Sequence, residues 1–331
     1  MSLRRSSGLV GAVALALALT GCGSSDSKSD SSGKGKTRVF AADNGKIKIP
    51  ADPKRVVATG YAVPVMIEAK APLVGISSWK RGEPMMNKKD LATYKKTPKV
   101  AGELATETNY EAIAEAEPDL IVIGVPAPVL GDIDVKRLEG IAPVVAIGPT
   151  VPSMWRDQSR RQADAAGALE QFDSVKATYD AKAAKLAKKY KDVLPQLKMG
   201  HVGAYGETAK GTFQREFGKS WGTNIAEDAG AKYYGKVKKK GPGSRAVSEY
   251  PSLEELPESL GKADAITYSV NPDGSVPEPV KYVMDSKLWK NLPAVKAKKT
   301  FPIRYTEAAT YGQGTQTLDA IDKSFAPLLN R

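Results

Sequence analysis

This chain of 331 residues carries one cysteine and one histidine, and both scarcities narrow what it can do. Direct binding of zinc or manganese normally recruits several imidazoles, and His201 stands alone. It also falls inside the segment Lys198 to Tyr205, which is patterned as a strand, so a hydrogen-bonded core or edge histidine is expected there, not a general base. No phosphate-cradling glycine loop occurs, and no free cysteine beyond Cys22, which leaves an enzymatic reading without its usual machinery. No apolar run is long enough for a stop-transfer helix, since the longest, Leu9 to Leu19, falls short of a bilayer. Proline is missing between Pro152 and Pro195, and that absence permits a long helix.

What is present suits two globular domains, because 41% apolar residues can bury a core in each half and exclude disorder for the chain as a whole. The net charge of +12 lies largely in lysine runs such as Lys188, Lys189, Lys191 and Lys236, Lys238, Lys239, Lys240, which describe a solvated basic face. Nucleic-acid binding would need basic residues interleaved with stacking aromatics, and none are so arranged.

The first 22 residues have the order of an export signal: Arg4 and Arg5, the apolar run, then Leu19, Thr20, Gly21 and Cys22. That ending resembles the lipobox of bacterial lipoproteins, in which the cysteine becomes the new N-terminus and carries acyl chains. Cys22, otherwise an unpaired thiol in an exported chain, is therefore expected to be lipidated, placing the protein on the outer face of the cell membrane. Residues 23–36 are Gly, Ser, Asp, Lys and little else, a flexible tether.

Beyond the tether the expected fold is α/β, with two Rossmann-like lobes at 37–152 and 196–331 joined by a connecting helix at 153–195. Phe172, Val175, Tyr179, Ala183, Leu186, Tyr190 and Val193 recur every three or four residues, one apolar stripe on a helix. About 25 residues from Gln171 would run about 37 Å, with a break at Gly167, and read as a strut between lobes, not a core element. Buried strands are expected at Arg55 to Thr59, Pro72 to Ser77, Lys99 to Gly102, Asp119 to Val125 and Val144 to Ile147. After the strut they recur at Lys198 to Tyr205, Ala263 to Ser269 and Thr300 to Ile303. Helices are expected at Val63 to Ala69, Thr108 to Ala116, Gly222 to Gly230, Ser252 to Ser259 and Thr315 to Leu329. Thr108 and Glu111 have capping-box spacing. Asn109 to Ile113 leading to Asp119 to Val122 parallels Ser252 to Leu256 leading to Asp264 to Thr267, so the halves look duplicated, with a cleft between them.

In open parallel sheets ligands collect beyond the carboxyl ends of the strands. That rule selects Tyr61, Trp79, Arg81 and Trp155 in the first half, and Arg215, Trp221, Tyr268, Arg304 and Tyr311 in the second. Three of the four tryptophans fall on these loops, and an aromatic-lined cleft with a few donors suits a bulky organic ligand whose polar atoms accept hydrogen bonds. Trp289 is expected to be a packing anchor.

Lipobox, tether, duplicated α/β halves, long helix and the segments Asn109 to Ile123 and Ser252 to Thr267 together resemble the substrate-binding lipoproteins of ABC importers for iron-siderophores, heme and cobalamin. The resemblance implies a monomeric receptor with no catalytic group and no resident metal or cofactor, whose partners are an iron-siderophore complex, an ABC permease and the membrane through its lipid. It also implies that Glu111 and Glu254 pair with permease arginines; as first-turn carboxylates they also favour their helix dipoles. Phe217 to Thr223 is similar to the second-lobe loop of hydroxamate binders, with Trp221 against the ligand, and Tyr311 falls where those proteins often carry a cleft aromatic. Arginines found in some of those binders are replaced here by Ala105 or Thr223, so donors to iron-bound oxygens fall to Arg81, Arg215, Arg245 or Arg304. A ferric trihydroxamate is compact and nearly neutral, which fits aromatic walls, and a ferrioxamine-like ligand is the expectation. Catecholate, heme and cobalamin stay open within the family. Outside it, an envelope hydrolase and an adhesin for anionic wall polymers remain alternatives.

Overall fold

The computed structural model describes residues 35–330. The export segment 1–22, Cys22 with its lipid, and nearly all of the tether lie outside the described residues. The fold opens with an antiparallel hairpin, β1 (Thr37–Ala42) and β2 (Gly45–Pro50). A five-stranded sheet follows from β3 (Val56–Gly60), β4 (Leu73–Ser77), β5 (Lys99–Ala101), β6 (Leu120–Gly124) and β7 (Val144–Ala146). Its order is β5-β4-β3-β6-β7 and every pairing is parallel. β3 and β6 are buried at every position, which is why their apolar runs are continuous instead of alternating.

The second sheet contains β8 (Met199–Gly203), β9 (Gln214–Glu216), β10 (Ser248–Glu249), β11 (Ala265–Ser269) and β12 (Thr300–Ile303) in the order β10-β9-β8-β11-β12. β8, β11 and β12 are parallel, whereas β9 and β10 run antiparallel. The halves are thus not strict copies. β9 is Gln-Arg-Glu and fully buried, so hydropathy gave no sign of it.

Four helices matter for the site: α1 (Ala62–Glu68), α2 (Trp155–Ala165), α3 (Leu169–Lys189) and α4 (Tyr311–Phe325). α2 and α3 are separated at Gly167, whose φ of 68° lies in the left-handed region that glycine tolerates. The expectation of a strut outside the cores is corrected here. Phe172, Tyr179, Ala183 and Leu186 of α3 share one hydrophobic cluster with Leu318, Ile321 and Phe325 of α4. Each large side chain so buried contributes about 1.5–3 kcal/mol, and Lys182–Asp319 and Lys189–Asp322 ion pairs stitch the same two helices at their rim. The long helix therefore belongs to the second lobe's packing, while α2 leans on α1 and the first.

Two helix starts also differ from expectation. The helix Tyr110–Glu115 is capped by Asn109, whose Oδ1 accepts from the Ala112 N–H at 3.0 Å, and not by a Thr108–Glu111 box. The closing helix begins at Tyr311, four residues before the expected start, because Thr310 Oγ1 accepts from the Gln313 N–H at 3.2 Å. The capping box lies instead at Ser252, whose N–H donates to Glu255 Oε1 at 3.2 Å. There a 3-10 turn, Leu253–Glu255, precedes the short helix Leu256–Leu260.

Candidate ligand-binding cleft

Strand ends of both sheets supply the walls of one cavity. Gly60 closes β3 at φ 59°, and a Cβ there would lie 2.6 Å from the Gly124 oxygen, so only glycine lets the chain turn out of the sheet into Tyr61. Ser77 at the end of β4 accepts the Gly60 N–H at 3.0 Å and fixes that turn. Trp79 follows, its N–H donating to the Tyr94 hydroxyl at 2.8 Å. Gly82 leaves room for its indole, since a Cβ would meet the ring nitrogen at 2.1 Å. Tyr61 and Trp79 meet edge to face with centroids 4.9 Å apart. The Arg81 guanidinium lies 4.0 Å from the centre of the Trp79 ring and 5.0 Å from that of Tyr61, with its Nε 3.6 Å from Glu103 Oε1.

Trp221 comes to the same place from the second lobe, on a loop built over buried polar groups. The Gly222 N–H donates to Glu216 Oε2 at 2.7 Å, and Thr223 Oγ1 donates to the Phe217 carbonyl at 2.7 Å. His201 packs beneath, bonded through Nδ1 to Thr267 Oγ1 at 2.8 Å and through Nε2 to Ser269 Oγ at 3.1 Å. Burial pushes its pKa down to about 3, so the ring is neutral at physiological pH. Burial pushes Glu216 up to about 7, against the lowering hydrogen bond from Gly222. This histidine is a support for the loop and not a base.

Tyr61, Trp79, Arg81 and Trp221 therefore line one cavity of about 360 Å³, shared with Met85, Tyr205, Gln214, Tyr250, Glu307 and Gln313. Tyr61 and Trp221 also border a neighbouring hollow of about 620 Å³, walled by Pro126, Pro128, Pro149 and Pro242 with Arg245. Tyr205 and Glu307 lie on loops that the strand-end rule selects. Met85, Gln214, Tyr250 and Gln313 were missed, because they come from a 3-10 turn, an antiparallel edge and a helix whose first turn was read as loop.

The other expected site residues lie elsewhere. Trp155 is 2% exposed and Tyr311 is 4% exposed, and both sit in the cluster around α3. Trp155 donates through Nε1 to Asn224 Oδ1 at 3.0 Å, and its ring meets that of Tyr311 edge to face at 4.9 Å. Arg215 is sealed inside the second lobe, donating to the carbonyls of Glu216 and Tyr234, with its guanidinium 4.5 Å from the Phe217 ring centre. Tyr268 is half-buried and packs against the cluster of Val202, Phe213 and Ile266. Arg304 borders a different hollow of about 700 Å³ between β12 and α4, which shares no residue with the cleft. Only Arg304 of these stands on a loop: Arg215 and Tyr268 lie within β9 and β11, and Trp155 and Tyr311 open α2 and α4, where the direction of the element turns the side chain into the packing.

Glu111 is exposed in the first turn of its helix, paired with Arg137, and its carboxyl is held below the usual range by its own backbone N–H and that arginine. Glu254 is exposed and bonded to the Ser252 hydroxyl, which lowers its pKa. Among the described residues no group of three or more His, Cys, Asp or Glu is placed to hold a metal ion. No helix among them is long and apolar enough to cross a membrane.

Two α/β lobes meeting over an aromatic cavity define the architecture of a solute-binding protein. The chain belongs to the periplasmic binding protein family, whose profile matches residues 56–304. It is 31% identical over 270 residues to the iron(3+)-hydroxamate-binding protein YxeB of Bacillus subtilis, covering 80% of this chain and 77% of that one. It is 30% identical over 270 residues to the iron(3+)-hydroxamate-binding protein FhuD of the same organism, covering 78% and 76%. The solved siderophore periplasmic binding protein from the fuscachelin gene cluster of Thermobifida fusca superposes with a TM-score of 0.67 at 29% identity, over 85% of this chain and 99% of that one.

Proposed function

We propose that the protein captures a ferric hydroxamate siderophore, ferrioxamine-like in form, and hands it to an ABC permease. It does so as a monomer held at the outer face of the cell membrane by acyl chains on Cys22. The observation that carries this reading is the meeting of Tyr61, Trp79 and Arg81 with Trp221 across one cavity. Aromatic walls remove the methylene linkers of a hydroxamate from water, and one guanidinium donates to the iron-bound oxygens. The iron arrives chelated, so the protein needs neither a metal ligand nor a cofactor. Two relatives named as hydroxamate binders support the ligand class. A lone cysteine closing an export-signal pattern supports the anchor. Glu111 and Glu254, both exposed, are the contacts offered to the permease.

Intrinsic-fluorescence titration with ferric trihydroxamate, ferric tricatecholate, heme and cobalamin tests the ligand class. Selective quenching by the hydroxamate is expected. Tight binding of another cargo with none for the hydroxamate would replace the reading.

A further inference from the structure

Glu307 is a carboxylate in the cleft that the aromatic reading leaves without a task. It lies between β12 and α4 and borders the same cavity as Tyr61, Trp79, Arg81 and Trp221. Its side chain is half-buried, and among the described residues it takes no hydrogen bond and no ion pair. Burial raises its pKa and Arg81 alone opposes that rise. Its charge is also felt at the Tyr61 hydroxyl, which places it at the aromatic wall.

Counted with Glu103, which lies outside the lining, the single guanidinium of the cavity faces two carboxylates. Arg81 is the one other ionic group on its lining, and that guanidinium is already flanked by two rings and shared with Glu103. Arg245 borders only the neighbouring hollow beyond Tyr61 and Trp221, and it is exposed. A ligand that fills the cavity strips the remaining water from Glu307. A carboxylate so desolvated needs a positive partner or a proton.

We propose that Glu307 is a specificity-determining residue that receives a cationic group, a protonated amine, carried by the iron chelate itself. The inference rests on the hydroxamate reading and narrows it to chelates with a positive tail. Arg81 then faces the iron-bound oxygens and Glu307 the amine, so the two side chains orient the ligand as well as select it. Chelates bearing free carboxylates are disfavoured by the same residue.

The test uses one linear ferric trihydroxamate ending in a primary amine and its N-acetylated form, which differ in charge and leave the iron shell alone. Wild-type protein is expected to bind the amine form about tenfold more tightly, and Glu307→Gln to bring the two within about twofold of each other. Equal affinities in the wild type, or a preference that survives in Glu307→Gln, would overturn the proposal and leave the hydroxamate reading standing. Failure of the wild type to bind either form would overturn both.

Discussion

The ring of Tyr61, from the first lobe, lies within 9° of parallel to that of Trp221, from the second, with centroids 6.3 Å apart. The pair spans the cleft and borders both hollows, so a ligand occupying either one touches it. Truncating such a ring removes apolar area from the centre of the site, where single residues carry most of the binding energy. Trp221→Ala is expected to weaken ferric hydroxamate binding by about 1–3 kcal/mol, and Tyr61→Ala to act in the same direction. Calorimetric titration checks this, and unchanged affinity in both variants would remove the pair from the site.

Tyr311 and Trp155 should behave differently, although the sequence groups them with Trp221. Tyr311 meets Trp155, Phe172 and Tyr179 edge to face at 4.9, 5.5 and 5.2 Å, inside the packing between α3 and α4. Tyr311→Ala or Trp155→Ala leaves a hole in that packing, outside the lining of the aromatic cavity, at a cost of about 3–5 kcal/mol of folding stability. Urea unfolding is expected to show that loss, with ligand affinity retained in the folded fraction. A stable variant with lost affinity would return Tyr311 to the cleft.

The contrast shows what was legible in the sequence. β3, β6 and β7 announced themselves because strands buried on both faces need continuous apolar runs, and the loops after β3 and β4 were found from those strands alone. The place of Trp155 was not legible because a tryptophan that opens a helix can face solvent, a ligand or a core. Asn224, which receives its indole N–H, lies 69 positions away. Arg215 misled for a similar reason: an arginine in a short polar strand reads as exposed until its carbonyl partners close around it. The role of α3 was hidden because its apolar stripe predicts burial without saying against what, and α4 stands more than 120 residues further on.

Glu111 and Glu254 are solvent-exposed and stand away from the cavity lining. Replacing both with alanine is expected to leave siderophore affinity within about twofold and to abolish transport, because exposed carboxylates steer and register a basic partner more than they stabilise a fold. Uptake of radiolabelled iron alongside binding by the purified variant separates the two effects. Normal uptake by the double variant would refute the docking role. Arg137 holds Glu111, so a permease arginine docking there would have to displace that guanidinium.

Lobe movement should be small. Glu68 at the end of α1 accepts from Thr310 Oγ1 at 2.7 Å and from the Gly312 N–H at 3.0 Å, and Gln316 Nε2 donates to the Met85 carbonyl at 2.9 Å. These bonds fasten the first lobe to α4 of the second, and hinge closure would have to break them. X-ray scattering profiles with and without ligand are expected to superpose. A contraction typical of hinge-closing binding proteins would contradict the fastening.

The Glu68 carboxyl also makes stability depend on pH. Burial raises its pKa from 4.5 to about 7, against the lowering bonds from Thr310 and Gly312, and Asp90 is the acidic neighbour that raises it further. A carboxyl whose folded pKa lies above its unfolded value binds its proton more tightly when folded. Its contribution is complete below pH 4.5 and is lost as the pH rises through about 7, by at most about 3 kcal/mol. Glu216 acts in the same sense, while His201, depressed to about 3, acts oppositely between that value and its ordinary range. Only the Glu68 share disappears in Glu68→Gln, which keeps an acceptor for the Gly312 N–H. Urea unfolding at about pH 5 and about pH 7.5 is expected to show the wild type losing about 1–3 kcal/mol more than Glu68→Gln over that interval. Equal losses in the two proteins would mean that the Glu68 carboxylate is not desolvated between the lobes.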